Sequence, residues 1–216
     1  MSFVDGALRG TYPVTSGETY VWAGIPLPPN AADVTIEFDA RMPSDAKNGL
    51  KFVKFFGHHN AGSSGYANTT FGLDYTGVDL GSLYAVSFGD GTTRQNDTQN
   101  VIFLDGSNPS WIGRSFGTAT VSTPQARRFA SSDWKADWHH FVMRVRFNSG
   151  TSAADEVADG LVYLQIDGKV YVDAVGIFNR NPADARAFDS VGLFGWSQGN
   201  GPAFTIDYDN VVVTAR

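Results

Sequence analysis

The 216-residue chain contains no cysteine. That removes disulfides, thiolate catalysis and cysteine-based metal sites together. No apolar run approaches the ~18 residues that a membrane-spanning helix needs, so no membrane insertion is expected. Positive charge is also short: 16 Lys and Arg stand against 22 Asp and Glu, a formal net charge of −6. Phosphate binding requires a concentrated positive field, so no nucleic-acid partner is expected. The opening residues, Met1-Ser2-Phe3-Val4-Asp5-Gly6, lack a basic stretch followed by an apolar one, and a secretory leader is not expected. Zinc-type His/Glu spacing and a phosphate-cradling glycine loop are missing as well. No repeat, charge run or low-complexity linker divides the chain.

What is present is β-structure. Hydrophobic residues make up 42% and aromatics 13%, with 24 Gly and 9 Pro, which suits one large core and frequent turns. A single all-β domain over 1–216 is the economical reading. In Trp138–Asn148, Phe141, Met143, Val145 and Phe147 share one parity and Val142, Arg144 and Arg146 the other. In Asp159–Val172, Val162, Leu164 and Ile166 alternate with Tyr163 and Gln165, and Asp167-Gly168 is a two-residue hairpin turn. Val34, Ile36, Phe38 and Ala40 form another inward set, and Leu50–Gly57 is a denser strand. Further strands are expected at Thr69–Tyr75, Leu83–Phe88, Val101–Leu104, Val191–Trp196 and Phe204–Val213. Residues 1–30 read as an extended N-terminal segment whose Pro26, Pro28 and Pro29 suit a sheet edge or a connection. Residues 105–134 read as a long loop, where function often sits. One short helical turn is expected at Pro182–Ala187.

The order of Trp138-His139, alternating strand, Ile166-Asp167-Gly168-Lys169 turn and closing strands resembles concanavalin A-like lectin/glucanase jelly rolls, in the polysaccharide-lyase-like and laminin-G-like branch. Val191-Gly192-Leu193-Phe194-Gly195-Trp196 and Ile206–Val213 resemble that branch's closing strands, and Lys51–Gly57 its central strand. The likeness covers roughly 30–60 and 134–216. It implies a two-sheet antiparallel jelly-roll sandwich whose curved face often binds carbohydrate. Chains of this look, lacking cysteine and a leader, also resemble bacteriophage accessory proteins.

A polysaccharide lyase must neutralise a uronate carboxylate, remove the C5 proton and protonate the leaving oxygen. Lys51, Lys54, His58, His59 and Asn60 are candidates for the base. Tyr66, Tyr84 and Tyr163 are candidates for the acid, and Arg144 and Arg146 for the carboxylate clamp. A lyase on this chain would use Lys54, His58, Tyr163 and Arg146. Glycan contact is expected from Trp111, the tryptophan with no obvious strand to bury it, and from Arg144, Arg146, Tyr163 and Gln165. Trp138 and Trp196 are expected in the core. Of His139 and His140, one is expected to face the core or to cap a strand end. Asp105, Asp207 and Asp209 are oxygen donors at short spacing and make a structural calcium ion a candidate, though Asp-Gly pairs are commonly turns.

Two functions follow. The first is a non-catalytic recognition or structural protein, a bacteriophage virion component decorating capsid or tail, that touches surface glycans. It would self-associate or bind other virion proteins, and reside in the virion or the cytoplasm. The alternative is a lyase cleaving a uronate-containing glycan by β-elimination.

Overall fold

A computed structural model describes residues 1–13, 19–42, 50–59, 68–73, 83–88, 99–103, 120–122, 129, 133, 135–152, 154–155, 157–177, 185–197 and 203–216. Among them, strands run in the order β1 (Ser2–Val4), β2 (Ala7–Tyr12), β3 (Thr19–Pro26), β4 (Asp33–Arg41), β5 (Leu50–His59), β6 (Asn68–Leu73), β7 (Leu83–Phe88), β8 (Gln99–Phe103), β9 (Thr120–Ser122), β10 (Trp138–Arg146), β11 (Gly160–Ile166), β12 (Lys169–Ile177), β13 (Ala185–Ser197) and β14 (Phe204–Ala215). They form two antiparallel sheets, one of eight strands in the order β1-β2-β14-β4-β10-β11-β12-β9 and one of six in the order β3-β13-β5-β6-β7-β8. The expected two-sheet all-β sandwich is what the chain builds.

Alternation decides which face meets the partner sheet. Phe141, Met143, Val145, Val162, Leu164 and Ile166 are buried, as are Val34, Ile36, Phe38 and Ala40. Met143 sits opposite Leu164 on one side and Ile36 on the other, so three strands present one continuous apolar surface. Asp167 and Gly168 both take positive φ (50° and 76°) and join β11 to β12 with Ile166 paired to Lys169. That is the backbone a two-residue turn of matching twist requires.

The two sheets are joined by aromatic rings. Phe38 stacks on Phe141 at 5.1 Å between centroids, and Phe52, reaching from the other sheet, meets Phe38 at 5.8 Å and Tyr208 at 5.4 Å. Phe147 stacks on Phe188 at 3.8 Å. Each such ring removes ~150–250 Å² from water, the largest single burial terms available to a side chain. The β5–β6 register shifts between Lys51 and Val53, and Phe52 and Val53 are both buried as a result. At that bulge the Tyr208 hydroxyl donates to the Phe52 carbonyl at 3.0 Å.

Several expectations change. Residues 1–30 contain three strands rather than only an extended segment. Asp5 and Gly6, with φ of 51° and 87°, make the same turn chemistry as Asp167-Gly168 and pair Val4 with Ala7. The prolines do mark an edge: β3 ends at Pro26 on the border of the six-stranded sheet. The expected helical turn at Pro182–Ala187 is a strand start from Ala185 onward, because β13 continues back to pair Ala185 with His59. Within 105–134, Thr120–Ser122 is a strand that borders β12.

Candidate functional site

The outer faces of the two sheets differ in kind. On the eight-stranded sheet, cations and carboxylates are matched in tight pairs. Arg144 makes two bonds to Asp33, at 2.8 and 2.6 Å. Arg146 donates to the Asp159 carbonyl at 2.7 Å, and Gln165 donates to the Tyr163 hydroxyl at 3.2 Å. Asp207 receives Arg9 at 2.6 and 2.8 Å and Arg41 at 3.2 and 2.7 Å. The two guanidiniums, Arg9 foremost, hold the Asp207 carboxyl below the usual range against the opposing effect of burial. Arg144 does the same for Asp33.

This answers the calcium expectation. Both Asp207 oxygens are occupied by guanidinium groups, so Asp207 is not placed to take a cation. Asp209 accepts the Asn210 N–H at 2.8 Å. Among the described residues no cluster of three or more His, Cys, Asp or Glu is disposed to hold a metal ion. Asp105 lies outside the described residues. A polar hollow of about 130 Å³ lined by Asp33, Thr35, Arg144, Thr214 and Arg216 also lies on this face. It is well below the ~300 Å³ of ordinary small-ligand pockets.

Trp138, expected in the core, is 41% exposed. Its parity matches His140, Val142 and Arg144 rather than Phe141, and the Arg41 guanidinium lies 4.8 Å from the centroid of its ring. His139 has the opposite parity. Its ring meets Phe129 edge-on at 5.0 Å, and its Nδ1 lies 2.7 Å from Asp167 Oδ2. The other Asp167 oxygen accepts the His140 N–H at 2.9 Å, while His140 Nδ1 lies 2.8 Å from Asp39. The histidine pair is thus held by carboxylates and fastens the Asp167-Gly168 turn to the start of β10.

The six-stranded sheet presents something else. One cross-strand row runs through all six strands: Gly24, Gly192, Lys54, Thr70, Val86 and Val101. Lys54 stands in its middle, with glycines at the next two positions on one side. The space those glycines leave is filled by Trp22. A Cβ on Gly192 would fall 1.6 to 2.3 Å from three atoms of its six-membered ring, and one on Gly24 would fall 3.0 Å from its Nε1. The indole therefore lies flat along the sheet, reaching from β3 over β13 toward β5. There it meets the Phe56 ring edge-on, centroids 4.8 Å apart at 77°. Lys54 Nζ lies 4.5 Å from the centroid of that same Phe56 ring. The floor comes from β3, the wall and the cation from β5, and β13 between them supplies the glycine on which the indole lies.

The local sequence explains each part. On β3, Val21, Ala23 and Ile25 pack against the core, which turns Trp22 outward. On β5, Val53 and Phe55 are buried and Lys54 and Phe56 alternate with them.

Of the expected lyase set, the structure keeps Lys54 and His58 on one strand and places Tyr163 and Arg146 on the outer face of the opposite sheet. The four are not brought together. Arg144 and Gln165 share the face of Tyr163 and Arg146. Trp111 and Tyr66 lie outside the described residues. From the sequence, Trp22, Trp111, Trp134, Trp138 and Trp196 could all belong to a sugar-stacking platform, and Trp22 is not singled out among them. Its parity was legible, but its seat on Gly192 depends on a strand pairing 170 residues away. Sequence reading took the Gly-x-Ser-x-Gly pattern of serine hydrolases to be absent, yet Gly195-Trp196-Ser197-Gln198-Gly199 has that spacing. Gly195 to Ser197 here continue strand β13, paired with Val21, Tyr20 and Thr19 of β3. Gln198 and Gly199, where such a nucleophile's turn would lie, are outside the described residues.

No protein-family model matches the chain, and no curated protein matches it in sequence. Solved structures do match. An alginate lyase, Aly36B, superposes with a TM-score of 0.57 at 17% identity, over 98% of this chain and 81% of that one. An endo-β-1,4-glucuronan lyase from the fungus Trichoderma reesei gives 0.59 at 14%, over 97% and 81%. The alginate lyase vAL-1 from Chlorella virus gives 0.56 at 16%, over 100% and 88%. The fold is the concanavalin A-like, polysaccharide-lyase-like jelly roll. The similarity also corrects the expectation of a non-catalytic virion component. All three matched structures are lyases, the viral one included.

Proposed function

We propose that this chain is a polysaccharide lyase that cleaves a uronate-containing glycan by β-elimination, on the outer face of the six-stranded sheet and with Lys54 at the reacting centre. The observation that carries the reading is the position of Lys54: a cation mid-sheet beside two contacting aromatic rings, Phe56 and Trp22. A chain of net charge −6 repels an acidic polymer at long range, so binding one demands a local cation on an apolar floor. Complexes of Aly36B variants with alginate tri- and tetrasaccharides, at TM-scores of 0.58 and 0.54, support a uronate polymer as the class of ligand.

The chemistry is an elimination. The Lys54 ammonium pairs with the uronate carboxylate and stabilises the negative charge that grows there as the C5 proton is withdrawn. The electron pair of the C5–H bond becomes the C4–C5 double bond. The C4–O bond breaks, and the departing oxygen takes up a proton. No water is consumed. We assign withdrawal of the C5 proton to His58, four residues along β5 from Lys54, and the proton of the departing oxygen to solvent. The backbone register carries Tyr84 onto the same sheet but on the other side of Lys54, aligned through Gly72 with Lys51, so it is given no part.

Incubation with alginate, glucuronan, hyaluronan and heparin tests the reading through the ultraviolet absorbance of the conjugated double bond. Absorbance should rise with at least one polymer and should fail to rise with Lys54→Ala. Binding without cleavage of any uronate polymer would make the chain a lectin and overturn the proposal.

A further inference from the structure

We infer that Trp22 is a substrate-stacking residue that holds the sugar next to the one being cleaved, and so sets a preference for chain length. The inference rests on the lyase reading and deepens it.

Trp22 is 41% exposed although its ring is packed flat against backbone. One ring face lies on Gly192, and the exposure therefore belongs to the other face and the rim. A large apolar ring held open to water is costly unless something covers it, and a flat one matches the C–H face of a pyranose. The seat is specific. Glycine at both Gly24 and Gly192 is what lets the indole lie down, since a side chain at Gly192 would occupy the ring's own position. Phe56 stands nearly perpendicular at its inner end, which closes the floor toward β5.

The direction follows from the strand order. β3 is the edge strand, β13 lies between, and β5 carries Lys54. A glycan crossing the sheet from its β3 edge would meet the indole first and the ammonium next. The indole and Lys54 Nζ each touch the Phe56 ring, at 4.8 and 4.5 Å from its centroid, and so border one ring, close enough for neighbouring sugars of one chain to span. A uronate whose carboxylate meets Lys54 would then have its neighbour on Trp22. Substrates too short to reach the indole would gain nothing from it.

The experiment is steady-state kinetics of wild type, Trp22→Ala and Trp22→Phe on a ladder of oligouronates of the polymer that the wild type cleaves. Trp22→Ala should raise KM on the polymer about tenfold with kcat within about twofold, and the effect should vanish on the shortest cleavable oligomer. Trp22→Phe should recover part of the loss. Gly192→Ala, which displaces the ring and leaves the indole chemically intact, should reproduce the Trp22→Ala pattern if that variant does not fold. An unchanged KM, or a loss equal at every length, overturns the inference and leaves the lyase reading standing. A wild type that cleaves no uronate polymer overturns the lyase reading itself.

Discussion

The indole of Trp22 occupies the space where a side chain at Gly192 would stand, with a Cβ there falling 1.6 Å from the ring. The two residues are bound in one packing decision, although the ring belongs to an edge strand and the glycine to its neighbour. Gly192→Ala should therefore cost about 1–3 kcal/mol, as overpacking does. In a Trp22→Ala background the same substitution should be nearly neutral, because the obstacle is gone. Urea denaturation of the four proteins of this double-mutant cycle checks the pair; strict additivity would deny the contact.

Tyr208 and Phe52 make the corresponding link through the core. The hydroxyl meets a carbonyl made available by the bulge at Lys51–Val53, at 3.0 Å. Tyr208→Phe keeps the ring contacts and removes this donor, and should lower stability by about 1–2 kcal/mol. An unchanged denaturation midpoint would show that the bond contributes nothing.

Acid sensitivity has a defined sign. Arg9 first and then Arg41 hold the folded Asp207 carboxyl below its usual range, and Arg144 does so for Asp33. Asp39 is opposed by burial, but bonds from Asn210 and His140 prevail and lower it too. In the unfolded chain these groups take up protons near pH 4. Their contribution is thus fully present above about pH 4 and is lost as pH falls through the lower folded values. Asp207→Asn should cost about 2 kcal/mol at neutral pH, since it leaves two guanidiniums facing each other, and should flatten the acid limb of the stability curve. A parallel acid limb in the variant would contradict the assignment.

Much of the architecture was legible because one face of every long strand is buried. The parity of Phe141, Met143 and Val145, or of Val34, Ile36 and Phe38, admits one reading. Asp167-Gly168 announced its turn for the same local reason. Asp5-Gly6 carried the same signal, but it lies in a stretch whose prolines and glycines masked the short β1–β2 hairpin. The site was not legible. Lys54 could be picked out as a lysine on an apolar strand, yet its company could not. Gly192 and Trp22 meet through long-range pairing that no local pattern records, and Tyr163 and Arg146 look equally suited until the sheet order puts them on the far side of the sandwich. Trp138 was misread from its apolar surroundings, when parity alone would have placed it outside.

The Asp167-Gly168 turn offers a local check on that reasoning. Gly168 has φ of 76° with open space where a Cβ would go. Gly168→Ala should cost about 1 kcal/mol through backbone strain alone, and Gly168→Asn less. Equal stability for all three in thermal unfolding would mean the turn tolerates any residue.

The central claim is elimination at Lys54. Mass spectrometry of the products from a uronate polymer, wild type beside Lys54→Ala, tests it most directly. The account predicts fragments whose new non-reducing ends carry a C4–C5 double bond and no added water, and no such fragments from Lys54→Ala. Fragments that have each gained water, or unsaturated fragments made equally well without Lys54, would contradict it.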